Sequence, residues 1–552
     1  MAPNRLRHLL ILAITSLTAE AIAPSIESAR ANSHRIFNAV NHAGRQWGSA
    51  LNHNGFSFFS AVVPAGTLLY RGSPDDEFPP EGVEWLAFEL EHAQQFATPK
   101  DEFHADDGRQ KPLLRRRRRR GYIQTYQATR DIPLLYADGM SAAKTSFGTL
   151  DSQDLILRDN KTADAASMAE QGRAADICRL IQPWGYAGLV RMEAGFEVVY
   201  CDFANGIRLL SAVRMHLAED KVGDDALRTP LWVRAVTERY DGLGVDRLSI
   251  DFSSMLSAFF FPINVSGTDP SRPDLVRLAA TPLHQLRDIK TRLEHVASQP
   301  RRFTVDWQAV TDMVVRRFAN RLAHMAADGD GISDMAFIDE LESAVLLYID
   351  GPSNATSIAA PTGDETTKLC TQHLLLSSTL SQPQWTESDR LIHAAIEAVL
   401  HDTCTTLLSV FTSLVEASSK DITGAAQPNR HLSTAVAAGR RDVKHLVQRL
   451  SWSEWRKVRR CPVGEVMFSV MWPLGNQEDY WQPGCRRLED LGFERQGYWG
   501  TEDGPLRRVE LANQAPDRQA LIALDHGRRL VGRRFRRSDP KLVDAPAQVE
   551  AG

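Results

Sequence analysis

The sequence predicts an α+β fold, with a β-rich first half followed by a mainly helical second half. Two observations carry this. Residues 56–215 hold short runs rich in aromatic and branched side chains, punctuated by Gly, Pro and Asp. Beyond about residue 270 the apolar period changes. Phe303, Trp307, Val310, Val314, Phe318 and Leu322 recur at three- and four-residue steps, one face of a helix. The chain has 552 residues, 43% hydrophobic and 24% charged. That composition excludes a wholly disordered, collagen-like or polytopic membrane protein. The length allows more than one core, since single cores stop growing near ~250–300 residues.

The N-terminus reads as a secretory signal peptide over residues 1–23. Arg5, Arg7 and His8 precede the apolar run Leu9–Ile14, and Ala19-Glu20-Ala21 is the better exit, because Pro24 follows Ala23. A membrane anchor needs roughly 20 apolar residues. This run is shorter, no other stretch is read as reaching that length, and Val549–Gly552 carries no lipid-anchor signal. Export agrees with the acceptor triplets at Asn160, Asn264 and Asn354. It also makes the six cysteines a disulfide set rather than metal ligands. Six cysteines allow 15 pairings. Sequence neighbours are expected, Cys178 with Cys201, Cys370 with Cys404 and Cys461 with Cys485, because the stretches between them read as single compact units. No CxxC spacing occurs, and no metal is expected. The net charge of −5 argues against nucleic acid as a partner.

The α+β domain is placed at 34–215. Its strands are Phe56–Val63, Thr67–Tyr70, Val83–Phe88, Tyr122–Ala128, Ile132–Tyr136, Ala187–Met192, Phe196–Phe203 and Ile207–Val213. Helices interrupt at Glu89–Ala97 and near Ala165–Ile181. Arg115–Arg120 is an exposed basic loop and a candidate processing site. The helical domain spans 240–450, with helices over Leu275–Val296, Met335–Ile349, Ser388–Ala417 and Leu432–Leu450 besides the one through Trp307. A Ser/Thr/Pro/Gly-rich loop occupies 351–367. Residues 452–490 are aromatic and hold the last cysteine pair, and 491–552 read as a poorly ordered tail.

Three pieces of the β-rich half belong together. They are Tyr70-Arg71-Gly72-Ser73 at a strand end, Glu84-Trp85-Leu86-Ala87-Phe88 running into a helix that holds Phe96, and Gly185-Tyr186-Ala187-Gly188 followed by Phe196-Glu197-Val198-Val199-Tyr200. In this order the pieces, over about 56–215, resemble the ADP-ribosyltransferase superfamily. The remainder resembles a group of secreted fungal proteins, which brings no activity with it. The superfamily resemblance implies a split β-sheet and NAD as substrate, with transfer to a protein or small-molecule acceptor or to water. It makes Glu197 the catalytic carboxylate that steadies the oxocarbenium-like ribose and holds its 2′-hydroxyl. Gly72 would admit the nicotinamide amide to the backbone. Arg71 or Ser73 would hold ribose or phosphate, and Trp85, Phe88 and Phe96 would form the aromatic wall. The chain departs from the superfamily pattern in three places. Arg71 stands where many members have His, Trp85–Phe88 has no hydroxyl, and Gly195 replaces the Glu or Gln of arginine-modifying members. These leave a substrate other than arginine, or a fold without catalysis.

Other readings are set beside this one. Gly139-Met140-Ser141 is a degenerate nucleophile elbow for a serine hydrolase. Ala326–Gly331 fails as a calcium loop. His393, Glu397 and His401 share a helix face with the two histidines ~12 Å apart, too far for one ion. A non-catalytic module could bind carbohydrate or protein through Trp452, Trp455, Trp472 and Trp481, provided those rings are exposed.

Overall fold

The computed structural model describes residues 21–74, 78–94, 96–97, 121–144, 147–160, 170–215, 242–243, 247–265, 275–327, 332–349, 364–423, 430–457, 461–468 and 483–487. The segment through Glu20, Arg115–Arg120, Asn354, Trp472, Trp481 and the tail from 491 lie outside them.

Three helices come first: α1 (Ile26–Ala31), α2 (Ser33–His42) and α3 (Gln46–Leu51). The strands are β1 (Ser57–Val63), β2 (Leu68–Ser73), β3 (Glu84–Ala87), β4 (Tyr122–Ala128), β5 (Ile132–Ala137), β6 (Gly188–Glu193), β7 (Gly195–Tyr200), β8 (Ile207–Arg214) and β9 (Ser249–Ser257). They form one curled nine-stranded sheet in the order β8-β4-β2-β3-β7-β6-β5-β1-β9. Register shifts at Phe58/Ser60 and Thr125/Tyr126 bend it near its two ends. All neighbours are antiparallel except β5 and β6. A parallel pair needs a crossover, and that connection carries a π-helical segment at Ser152–Leu157 and then α5 (Glu170–Ile181). β7 is buried along its whole length, whereas the edge strand β8 is largely exposed and carries Arg208 and Arg214, charges of the kind that discourage edge pairing. A short helix, α4 (Leu90–Gln94), follows β3 directly.

The sheet is weakest between β2 and β3, which pair at one position, Tyr70 with Ala87. On either side the ladders are longer: six positions join β2 to β4 and four join β3 to β7. The sheet therefore has two halves that part beyond Tyr70.

The helical region holds α6 (Leu283–Ala297), α7 (Trp307–Met325), α8 (Asp334–Val345), α9 (Asp364–His373), α10 (Glu387–Thr423) and α11 (Arg430–Leu450). It shares one apolar core with the sheet. Asp389, fully buried near the start of α10, accepts from the Trp307 indole at 2.8 Å and the Ser253 hydroxyl at 2.9 Å, so it ties β9, α7 and α10 together. Gly439 lets α11 lie close to α10, since a Cβ there would meet Val410 at 2.5 Å. A small two-stranded sheet of β10 (Glu465–Phe468) and β11 (Gly484–Arg487) ends the described chain.

Several expectations change. The stretch from 240 does not open on a helix: Ser249–Ser257 alternates around serines and adds a strand beside β1. The first long helix starts at Leu283 rather than Leu275, because Pro282 sits extended at its N-cap. Phe303 lies outside α7, which Asp306 caps by accepting from the Ala309 amide at 2.9 Å. The reading that no second stretch could span a membrane is also corrected. Glu387–Asp421 is long and apolar enough by length and composition, with mean hydropathy 1.3. Half of that window is buried, and the helix packs against α1, α2, α9 and α11 as a core element.

All three cysteine pairs form as expected: Cys178–Cys201, Cys370–Cys404 and Cys461–Cys485. They fit an oxidising secretory environment. Asn160 and Asn264 are exposed.

A polar cavity of about 330 Å³ lies where α2, the chain after α3 and the end of β5 meet. Burial lowers its His34 to about 4 and His42 to about 3, and raises Asp138 to about 7. Between pH 4 and 6.5 the unfolded chain binds two protons, at His34 and His42, that the native state does not. That stability is lost as pH falls. Asp138 acts oppositely: its raised pKa favours the native state at low pH, and the benefit fades as pH rises from 3.8 to about 7. These three groups therefore make stability rise by about one proton's worth across the window, about 1.4 kcal/mol per pH unit. Asp138→Asn removes the opposing proton. Denaturant titrations at pH 4.5 and 6 should show a steeper rise in the variant; an unchanged slope contradicts the assignment.

Candidate functional site

The cleft sits where β2 and β3 part. It is a cavity of about 280 Å³ whose wall includes Arg71, Gly72, Trp85, Phe96 and Glu197. Five of the seven residues singled out in sequence thus meet in one place. Ser73 and Phe88 do not line it, being 0% and 2% exposed.

Strand register explains the convergence. Tyr70 opposes Ala87, Ala87 opposes Glu197, and Glu197 opposes Arg191, so these four side chains form one row on one face. Trp85 lies two residues from Ala87, on the same face. Cys201, four residues beyond Glu197, is bonded to Cys178 and draws α5 over this face.

Gly72 is also needed for close packing. A Cβ there would stand 1.9 Å from the Ala93 carbonyl oxygen. Its missing side chain thus admits the last turn of α4, which forms one wall of the cleft.

Glu197 is 8% exposed and accepts from Arg191 Nε at 2.7 Å through Oε1, while among the described residues no hydrogen bond reaches its Oε2. Arg191, 2% exposed, also donates to Gln153 Oε1 at 3.1 Å and pairs closely with Glu170. Burial works against its charge, but Glu170 and Glu197 outweigh that and push its pKa up. Burial likewise opposes the Glu170 carboxylate. Arg191, Lys144 and Arg173 overcome this and hold its pKa below the usual range.

His92 lies on α4, and the sequence reading gives it no role. It lines the cleft and is fully buried. Burial lowers its pKa, only partly offset by Glu197, a hydrogen bond to the Phe196 carbonyl and Glu89. Among the described residues its Nδ1 has no hydrogen-bond partner. Nε2 is therefore the N–H that donates to Phe196, and the neutral ring keeps a lone pair at Nδ1. Arg71 is also under-satisfied. Its Nη2 is 3.6 Å from Glu84 Oε2, while among the described residues Nε and Nη1 have no hydrogen-bond partner at 8% residue exposure. The sequence signal for His92, a His–Ala step in a short helix after an aromatic strand, was visible. Arg191 and Glu170 were legible only once register and the crossover were known.

The wall carries four carboxylates (Glu84, Glu170, Glu193, Glu197) and three cations (Arg71, Lys144, Arg191), a net negative charge beside a neutral imidazole. Such a site stabilises positive charge at its carboxylate end and offers unmet N–H donors at Arg71.

The alternatives fare differently. Ser141 is 1% exposed and its hydroxyl donates to the Ala137 carbonyl at 2.7 Å, so it is not presented as a nucleophile. Trp452 is 2% exposed and stacked between Phe37 and Trp455, and the Trp455 indole donates to Ala319. Neither ring is an open binding platform. Glu397 pairs with Arg30 and His393 packs on Trp385, an ordinary helix surface.

A family model described as the YPL277C N-terminal domain matches residues 26–118 and 98–229. The chain is 26% identical over 551 residues to the uncharacterized protein YOR389W of Saccharomyces cerevisiae, covering 81% of this chain and 83% of that one. It is 29% identical over 396 residues to the uncharacterized protein YPL277C of the same yeast, covering 54% and 77%. No solved structure matches it. Every cleft residue from Tyr70 to Glu197 lies within the span matched by the family model.

Proposed function

We propose that the cleft is an ADP-ribosyltransferase-like site that binds NAD and cleaves its nicotinamide–ribose bond, in a protein of the secretory pathway. The observation that carries this reading is the meeting of Arg71-Gly72, Trp85 and Glu197 around one cavity at the parting of the sheet. The volume, about 280 Å³, is at the small end for ligand sites and suits the nicotinamide–ribose end of the dinucleotide. Trp85 supplies a face for the ring. Glu197 Oε2 is the oxygen left to accept the ribose 2′-hydroxyl and to face the positive charge that grows as the C–N bond breaks. The unmet Nε and Nη1 donors of Arg71 suit a phosphate oxygen.

With water as acceptor, the C1′–N bond breaks and nicotinamide leaves with the bonding pair. Water adds to C1′, and ADP-ribose and one proton are released. Gly195, at the position of the arginine-orienting residue, favours water over an arginine acceptor.

Calorimetric titration tests the binding step. NAD should saturate one site on the wild-type chain, and Arg71→Leu should weaken it by about tenfold or more, the loss of a charge-assisted bond. No saturable heat with the wild type, or unchanged affinity in the variant, contradicts this use of the cleft.

A further inference from the structure

We propose that the mature chain begins at Ile22 and that its new α-ammonium is held by Asp288 of α6. Two independent observations meet here. In sequence, Ala19-Glu20-Ala21 is the small-residue exit of the leader, and the bond that follows it joins Ala21 to Ile22. In the structure, the Ile22 backbone nitrogen donates to Asp288 Oδ2 at 3.1 Å.

The surroundings of Asp288 call for a cation. Its neighbours on α6 are engaged elsewhere: Lys290 and Arg287 pair with Asp159, and Arg292 pairs with Glu387. Among the described residues Asp288 has no side-chain cation. An amide offers it one neutral donor, whereas an ammonium offers three donors and a full charge. The rest of the segment is already docked. The Ile22 side chain packs on the core, the Ser25 amide donates to the Phe260 carbonyl at 2.9 Å, and the Ser25 hydroxyl caps α1. Ala21 is exposed. Cleavage after Ala23 would instead discard Ile22 with its core contact and leave Asp288 unmatched.

The step is peptide hydrolysis by a secretory signal peptidase. Water supplies hydroxyl to the Ala21 carbonyl carbon and hydrogen to the Ile22 nitrogen, which takes up a further proton to become the ammonium. Nothing is oxidised or reduced.

The test has two parts. Intact mass and N-terminal sequencing of the secreted full-length product should give Ile22 as the first residue. Asp288→Asn is then compared in two chains, one starting at Ile22 and one carrying a single extra glycine. That glycine moves the ammonium by about 3.5 Å and restores an amide at Ile22. Asparagine can still accept from an amide, so the substitution should lower Tm by about 2 °C in the first chain and leave the second unchanged. Should the variant not fold, the wild-type pair decides: the chain starting at Ile22 melts higher than the glycine-extended one. A different first residue, equal shifts in both chains, or equal melting of the wild-type pair overturns the proposal.

Discussion

Replacing Arg191 by methionine lowers stability by about 3–5 kcal/mol, the cost of leaving buried charge without its partner. Arg191 is 2% exposed and joins Glu197 on β7, Glu170 at the start of α5 and Gln153 of the π-helical segment. Its removal strands the Glu197 carboxylate at 8% exposure. Glu170 keeps Arg173, so the larger loss falls on Glu197. Two further variants separate charge from packing. Arg191→Lys should recover little, because an ammonium cannot reach three acceptors with the planar geometry of guanidinium. Arg191→Met combined with Glu197→Gln should be more stable than Arg191→Met alone, because the stranded charge is gone. Urea midpoints at unchanged m-value are the measurement. A single variant within about 0.5 kcal/mol of the wild type would mean that the ion cluster is solvated and does not hold the cleft together.

Removing the Cys178–Cys201 bond by a double alanine substitution costs about 3 kcal/mol, the loop-entropy value for a closed segment of this order. The separation is 23 residues, and both cysteines are buried, at 2% and 7%. The bond fastens α5 to the chain just past β7, the two elements that bring Glu170 and Glu197 to Arg191. Its loss should therefore also loosen the ion cluster, so the double variant and Arg191→Met should be less than additive. Thermal melts of oxidised wild type, reduced wild type and the variant decide it. A variant melting with the oxidised wild type contradicts a structural role for the bond.

Much of this was legible beforehand because it depends on local pattern. The strands in 56–215 follow runs of branched and aromatic residues, and the later helices follow a period of three to four. Cysteine neighbours paired as expected because each pair closes a short local stretch. What was hidden depends on partners distant in sequence. Ser249–Ser257 reads as polar until β1 lies beside it. Helices α1 to α3 are short and lack a long periodic stripe. In the cleft, Glu197 and Trp85 could be singled out as residue types. That Arg191 neutralises Glu197, and that Gly72 makes room for the Ala93 carbonyl, follow from register and close packing. His92 was within sight, but its burial and unmatched Nδ1 were not.

Nicotinamide release from NAD, followed for purified wild type and Glu197→Gln side by side, tests the central claim most directly. Glutamine keeps an acceptor for Arg191 but removes the charge that faces the ribose cation. Wild type should turn over, and the variant should fall by about 10²–10³-fold, the usual cost of losing one electrostatic stabiliser of a transition state. No release by the wild type, or equal release by both, would contradict the account.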